Sequence, residues 1–314
     1  MMWQGFELCS ALGLEYPIFQ GGMAWISDAG LAAAVSEAGG LGIIAAGHAP
    51  GDYVREQIKK AKSLTNKPLG VNIMLMSPFA EEVAEILAEE EIDVIVTGAG
   101  NPAKYMEKWR AAKIIPVVAS VALAKMMERS GAFAVIAEGS ESGGHIGELT
   151  TMALMPQVCD AVKIPVIAAG GIGDGRGVAA ALMLGAAGIQ VGTRFLLAKE
   201  CAVHTKYKEL ILKAKDIDTI ATGKRLGHPV RALKNPFSRE FSKKEYDSSI
   251  TNEELEAFGA GALKRSAIDG DAATGCFMAG QISGMLSKEQ SAREIVSELF
   301  EHAEEVLAKW KIAK

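Results

Sequence analysis

The sequence predicts an α/β fold: a (β/α)8 TIM barrel followed by a C-terminal insertion and a helical segment. Three observations predict it. Eight short apolar runs alternate with segments of helical spacing over the first two thirds of the chain. The runs lack in-and-out alternation, as do strands buried on both faces of a parallel sheet. Near residue 200 the rhythm stops, and a basic stretch and a last amphipathic segment follow. A doubly wound open sheet is the rival, but it has fewer strands and a glycine-rich nucleotide loop after the first. Eight units favour the barrel, whose functional loops follow the C-terminal strand ends.

In chain order the expected strands are 16–20, 41–45, 69–74, 93–98, 114–119, 132–138, 165–171 and 188–195. Between them, helical spacing is expected over 28–38, 52–64, 78–90, 102–112, 123–130, 151–162 and 174–184. Residues 203–245 hold 11 Lys and Arg against 5 Asp and Glu, while the rest of the chain holds 22 against 33. A helix over 252–267 and a glycine-rich stretch at 275–284 come next. The tail, 288–313, places Ile295, Leu299, Val306 and Trp310 on one helical face. The expected organisation is a barrel over 1–200, a basic insertion and lid segment over 201–286, and a C-terminal helix over 287–314 that packs on the barrel.

Composition narrows the function. With 49% hydrophobic and 23% charged residues in 314, the chain is globular rather than disordered, collagen-like or disulfide-stapled. A net charge of -5 and a pI near 5.7 argue against nucleic acid, whose phosphates call for surplus Lys and Arg. Cys9, Cys159, Cys201 and Cys276 are far apart and form no zinc spacing, which suits a reducing cytoplasm. The first 17 residues lack a basic start and a long apolar core, so they do not read as a signal peptide. The most apolar stretch, 178–192, is 15 residues long and too short to span a membrane. A soluble cytoplasmic protein is expected.

The informative residues sit where strands end. The first strand runs into Gly21-Gly22-Met23, small residues that let backbone approach a flat ligand. Asn72 ends the third with an amide that both donates and accepts, and Glu138 ends the sixth. Gly170-Gly171 after the seventh strand and Gly192-Thr193 after the eighth stand where barrels commonly bind phosphate through backbone N–H groups. His145 lies in the loop Ser142-Gly143-Gly144-His145-Ile146-Gly147, where a group titrating near neutrality can hand over a proton or a hydrogen bond. His48 follows the second strand, where an ordinary loop residue is favoured over a group facing the mouth, and His204, His228 and His302 lie outside the strand ends. No HExxH, His/carboxylate metal spacing or GxSxG elbow is present.

Read in order, these strand ends resemble the flavin-dependent enoyl-acyl-carrier-protein reductases, the FMN barrel relatives of nitronate monooxygenase (2-nitropropane dioxygenase). The resemblance runs through Tyr16-Pro17-Ile18-Phe19-Gln20-Gly21-Gly22-Met23, Gly70-Val71-Asn72-Ile73-Met74, Thr97-Gly98-Ala99-Gly100-Asn101-Pro102, Gly143-Gly144-His145-Ile146-Gly147, Ala169-Gly170-Gly171-Ile172, Gln190-Val191-Gly192-Thr193-Arg194 and Met278-Ala279-Gly280-Gln281. Several of these motifs belong to both branches. Glu138, Ile146 after the histidine, and the stretches 72–79 and 101–106 favour the reductase branch.

The resemblance implies FMN lying along Gly21, Gly22 and Met23, with Asn72 on its polar edge and Glu138 on its ribityl chain. Gly170, Gly171, Gly192 and Thr193 would hold its phosphate, and Met278 and Gln281 would come from a returning loop that closes the site. It implies NADH or NADPH as electron donor, an enoyl thioester on acyl carrier protein as partner, and stimulation by a monovalent cation such as potassium or ammonium. The metal ligands stay unassigned. A homodimer is the expected oligomer. His145 would be the catalytic group, and the basic insertion would dock the acidic carrier. The rival readings are a nitronate monooxygenase using FMN and O2, a non-catalytic phosphate- or flavin-binding barrel, and a flavin-free barrel acting on a sugar phosphate.

Overall fold

The structure, a computed structural model, describes residues 2–311. Seven strands come first: β1 (Ile18–Gln20), β2 (Gly42–Gly47), β3 (Leu69–Met74), β4 (Val94–Gly98), β5 (Lys113–Val118), β6 (Val135–Glu138) and the two-residue β7 (Gly144–His145). They are followed by β8 (Val166–Ala169), β9 (Gly188–Val191), β10 (Thr219–Thr222) and β11 (Val230–Leu233). Eight of them pair in parallel in the order β1-β9-β8-β6-β5-β4-β3-β2. The ring closes where Phe19 bridges Leu41, with Leu41 N–H donating to Ile18 O at 2.8 Å. The molecule is a (β/α)8 barrel.

Both faces of its strands are apolar because both are covered. Phe19, Ile43, Val94, Val96, Ile115, Ile136 and Ile167 fill the lumen. Leu8, Cys9 and Leu12 of α1 (Glu7–Leu12) join them from the strands' N-terminal end, so α1 plugs the floor. A side chain at Gly188 would bring Cβ to 2.7 Å from Leu8 Cδ2, so the plug seats only against glycine. Outside lie α2 (Ala29–Glu37), α3 (Gly51–Leu64), α4 (Ala80–Glu89), α5 (Val121–Arg129), α6 (Thr151–Ala161) and α7 (Gly175–Met183). Asp28 and Ser120 accept from the third N–H of α2 and α5, satisfying donors that a helix start leaves open.

One expected helix is corrected. Residues 102–112 form a single 3-10 turn, Pro102–Tyr105, followed by irregular turns. Bonds reaching back three residues, such as Ala112 N to Trp109 O at 2.8 Å, tighten the chain so that it feeds directly into β5. The apolar spacing there serves packing: Tyr105 and Trp109 stack at 4.8 Å, and Trp109 Nε1 donates to Ala84 O at 3.0 Å.

After β9 the chain leaves the ring for α8 (Thr205–Lys213), the β10–β11 hairpin, α9 (Pro236–Glu245), α10 (Asn252–Gly259) and the short α11 (Ala262–Lys264). The helix expected over 252–267 is interrupted where Gly261 adopts the left-handed conformation at φ 70°. It resumes as α11 and a π-turn, Arg265–Asp269. The chain returns as α12 (Ala292–Lys311), packed on α7 and α2 in the place of the eighth barrel helix. Ser291 and Glu294 cap its start reciprocally, which is why it begins four residues later than expected. Ile295 and Leu299 are buried on its inner face and Val306 is half-buried; the Trp310 side chain and residues 312–314 lie outside the described residues.

The insertion is welded to the barrel. β11 pairs with β10 on one side and with β7 on the other, Val230 opposite His145 and Arg231 opposite Gly144. Arg225, one of the basic residues counted in the insertion that is expected to dock the carrier, is a staple. Its guanidinium donates to Glu245 O and Asp247 O at 3.1 Å, to Asn252 Oδ1 at 2.9 Å, and to Ile250 O. Among the described residues no helix is long and apolar enough to cross a membrane.

Candidate active site

Strand alternation decides what the barrel mouth presents. Asn72 continues the inward face of β3, Glu138 that of β6, and Gln190 that of β9, so three polar side chains crown an apolar lumen. Between Asn72 and Gln190 runs the turn after β1. Ser27 Oγ pins it, accepting from Met23 N at 2.9 Å and from Gln20 Nε2 at 2.8 Å, and lying 3.2 Å from Gly21 O. A Cβ on Gly22 would stand 2.5 Å from Asn72 Cβ, and one on Gly21 would stand 3.5 Å from the Gln190 side chain. Gln190 Oε1 is buried and, among the described residues, has no hydrogen-bond partner. A buried amide oxygen left without a donor is costly, and a ligand N–H would satisfy it.

Beside this floor, Gly170 and Gly171 take left-handed conformations at φ 91° and 75°. A Cβ on Gly170 would meet Gly139 O at 2.8 Å, so the turn after β8 admits only glycine there. Gly192 leads into a 3-10 helix, Thr193–Leu197, and Met23 Sδ lies 3.7 Å from where its Cβ would be. The Thr193 hydroxyl accepts Gly280 N–H at 2.9 Å, which ties β9 to the returning loop and leaves its own proton free to donate.

That returning loop lies backbone to backbone on the loop after β6. Cβ atoms on Gly143 and Gly280 would each sit 2.7 Å from opposing main chain. Gln281 N donates to Glu141 O at 2.9 Å, while the Gln281 side chain is exposed. Met278 Sδ lies 3.6 Å from the Cβ direction of Gly144, and Met278 O accepts the buried Tyr207 hydroxyl at 2.7 Å. Glu141 also caps α6, its carboxylate accepting Thr151 N at 2.9 Å and Thr151 Oγ1 at 3.1 Å. Arg231 Nε donates to Ser140 O at 2.9 Å, fixing the same loop from β11.

Two titratable groups are shifted. Burial pushes the Glu138 carboxyl up to about 7, against the Ser142 hydroxyl, which acts to lower it. The His145 side chain reaches water yet sits between loops; desolvation lowers its pKa, and the charges of His228 and His48 lower it further. Because Glu138 is raised in the folded protein, the fold binds a proton that the unfolded chain has released between pH 4.5 and 7. Stability therefore falls as pH rises through that window. In flavin-free protein Glu138→Gln should add about 3 kcal/mol of stability at pH 8, an advantage that fades to nothing below pH ~4.5. Denaturant titration at the two pH values checks this; equal gains at both would remove the burial argument.

The structure thus brings Gly21, Gly22, Met23, Asn72, Glu138, Gly170, Gly171, Gly192, Thr193, Met278 and His145 to one end of the barrel. Of the expected set, Gln281 joins through its backbone only. From sequence, Gln190 stands in the motif of the last barrel strand without a role, His228 is set aside as lying outside the strand ends, and Glu141 and Arg231 carry no site signal. Gln190 was within reach, since Gly188 and Gly192 mark the inward register of its strand; the others depend on contacts distant in sequence. Among the described residues no group of three or more His, Cys, Asp or Glu converges on a metal position.

An inward amide pair across a glycine turn, next to left-handed glycines after the seventh barrel strand, fits a flat polar-edged ring carrying a phosphate. The residues suit FMN, and the class is that of the flavin oxidoreductase barrels. Residues 7–90 and 77–302 match the family model described as nitronate monooxygenase, and the chain belongs to that family, whose members are FMN-dependent. The structure of FabK from Thermotoga maritima is similar at 46% identity and a TM-score of 0.96, covering 98% of this chain and 99% of that one. A relative from Rhodococcus jostii, (3aS,4S,5R,7aS)-5-hydroxy-7a-methyl-1-oxo-octahydro-1H-indene-4-carboxyl-CoA dehydrogenase, is 40% identical over 72% of this chain and 65% of its own length. A probable nitronate monooxygenase from Staphylococcus haemolyticus is 34% identical over 79% of this chain and 83% of its own.

Proposed function

We propose that the protein is an enoyl-acyl-carrier-protein reductase that takes electrons from NADH or NADPH. The observation that carries this reading is the 46% identity to FabK over nearly the whole of both chains. FMN, when bound, supplies the hydride chemistry. Asn72 and Gln190 hold the polar edge of its ring across the Gly21–Met23 turn, and Glu138 meets its ribityl hydroxyls. The glycines at 170, 171 and 192 and the Thr193 hydroxyl hold its phosphate. His145 stands over the mouth and hydrogen-bonds the thioester carbonyl, where negative charge gathers as the double bond is reduced. Donor and acceptor share one mouth, so ping-pong kinetics are expected. A monovalent cation stimulates turnover in this reading.

The deciding experiment is anaerobic. NAD(P)H absorbance is followed with FMN-loaded protein before and after addition of a trans-2-enoyl thioester. Sustained oxidation that starts with the thioester supports the reductase. A flavin that resists NAD(P)H, or is reduced once and then ignores the thioester, defeats it. Oxygen uptake on an alkyl nitronate would then favour the monooxygenase, the reading supported by the name of the Staphylococcus haemolyticus relative.

The basic insertion is the proposed docking face for the acidic carrier. Lys224 is exposed, whereas Arg225 is committed to holding the insertion together, so charge reversal belongs at Lys224. Lys224→Glu should raise KM for a carrier-bound substrate about two- to fivefold at low salt, with the effect fading at high salt. The KM for a small thioester analogue should stay put. Equal changes for both substrates would sink the docking face.

A further inference from the structure

His145 is not alone at the mouth. The pairing of β7 with β11 sets His145 opposite Val230, and the turn two residues before Val230 carries His228. The two imidazole centroids are 6.1 Å apart with ring planes 57° from each other. His48, after β2, adds a weaker like-charge influence on His145. Both His145 and His228 are exposed, and among the described residues neither ring has a side-chain hydrogen-bond partner. Arg231, next to Val230, turns away to Ser140 O and Thr219 Oγ1. Desolvation, His228 and His48 act on His145, and no carboxylate counters them. Like charges this close oppose one another, so a charge on the His228 ring disfavours one on His145.

We propose that His228 is a positioning residue for His145, its ring held 6.1 Å away so that, together with desolvation, it opposes a charge on His145 while that ring serves the substrate. This inference rests on the reductase reading for its consequence, not for its electrostatics. A neutral imidazole N–H still donates to an oxygen that gathers charge, and it gives up no proton there. Turnover should therefore fall as pH drops through the His145 titration and hold above it.

The test uses FMN-loaded protein with isotope-labelled histidine, in which NMR follows each ring through pH and a His145→Ala sample identifies its signal. In His228→Asn, which retains a polar side chain without the charge, the His145 midpoint should rise by about half a pH unit. The acid limb of kcat should move upward with it. In His228→Lys, which keeps a positive charge, neither should rise. His228 is exposed on a turn, and an unchanged flavin spectrum shows that both variants remain folded. A His145 midpoint that stays put in His228→Asn, or rises equally in both variants, overturns the inference. If the midpoint shifts as expected while enoyl thioesters are not reduced, the reductase reading fails and the electrostatic pairing stands.

Discussion

His145→Ala should leave the protein yellow and slow reduction of an enoyl thioester by ~10² to 10⁴, the usual worth of a placed acid, base or hydrogen-bond donor. The side chain is exposed, and among the described residues it makes no side-chain hydrogen bond to the scaffold, so its loss should cost the fold little. Candidate flavin contacts lie elsewhere, at Gly22, Asn72, Gln190 and the glycines after β8 and β9. The defect should therefore fall on one half of the cycle. Stopped-flow mixing with NAD(P)H should show flavin reduction close to wild type, and mixing the reduced protein with enoyl thioester should show slow reoxidation. Reoxidation at the wild-type rate would strip His145 of its role. Slowing of both halves together would place it on the flavin instead.

Gly22→Ala should cost the protein its flavin. The new Cβ would stand 2.5 Å from Asn72 Cβ and 2.9 Å from Asn72 Cγ, where carbon atoms settle near 3.5–4 Å. The contact is with the root of the asparagine rather than its mobile end, so either β3 or the Gly21–Met23 turn must shift. Overpacking of this kind costs about 1–3 kcal/mol. The strain falls where the ring must lie between Asn72 and Gln190, so FMN affinity should weaken about 10- to 100-fold. Fluorescence titration of stripped protein measures the affinity. Thermal melts with and without FMN should show that the flavin-dependent rise is lost. Undiminished FMN affinity would mean that the flavin does not use this turn.

The β/α rhythm was legible because each strand had to be apolar on both faces, and the phosphate-type turns because only glycine suits their backbone. The segment 102–112 misled for a related reason. Tyr105 and Trp109 carry helical spacing, but they spend it on a stacked pair beneath α4, and spacing alone does not say which neighbour will claim a ring. Arg225 misled in the opposite sense: composition counts its charge, and only the fold shows four acceptors around it.

What the sequence by itself determined is the barrel, the strand-end glycines and the strand-end places of Asn72 and Glu138, since each follows from local steric rules and the run of apolar residues before it. The tertiary structure alone decided that Glu141 O holds the returning loop, that the buried Gln190 Oε1 has no partner among the described residues, and that His228 comes to stand beside His145. Those depend on β11 pairing with β7 and on two loops closing backbone to backbone. Contacts between residues so distant in the chain leave no periodic trace, because loop closure constrains where a segment ends and not which residues compose it.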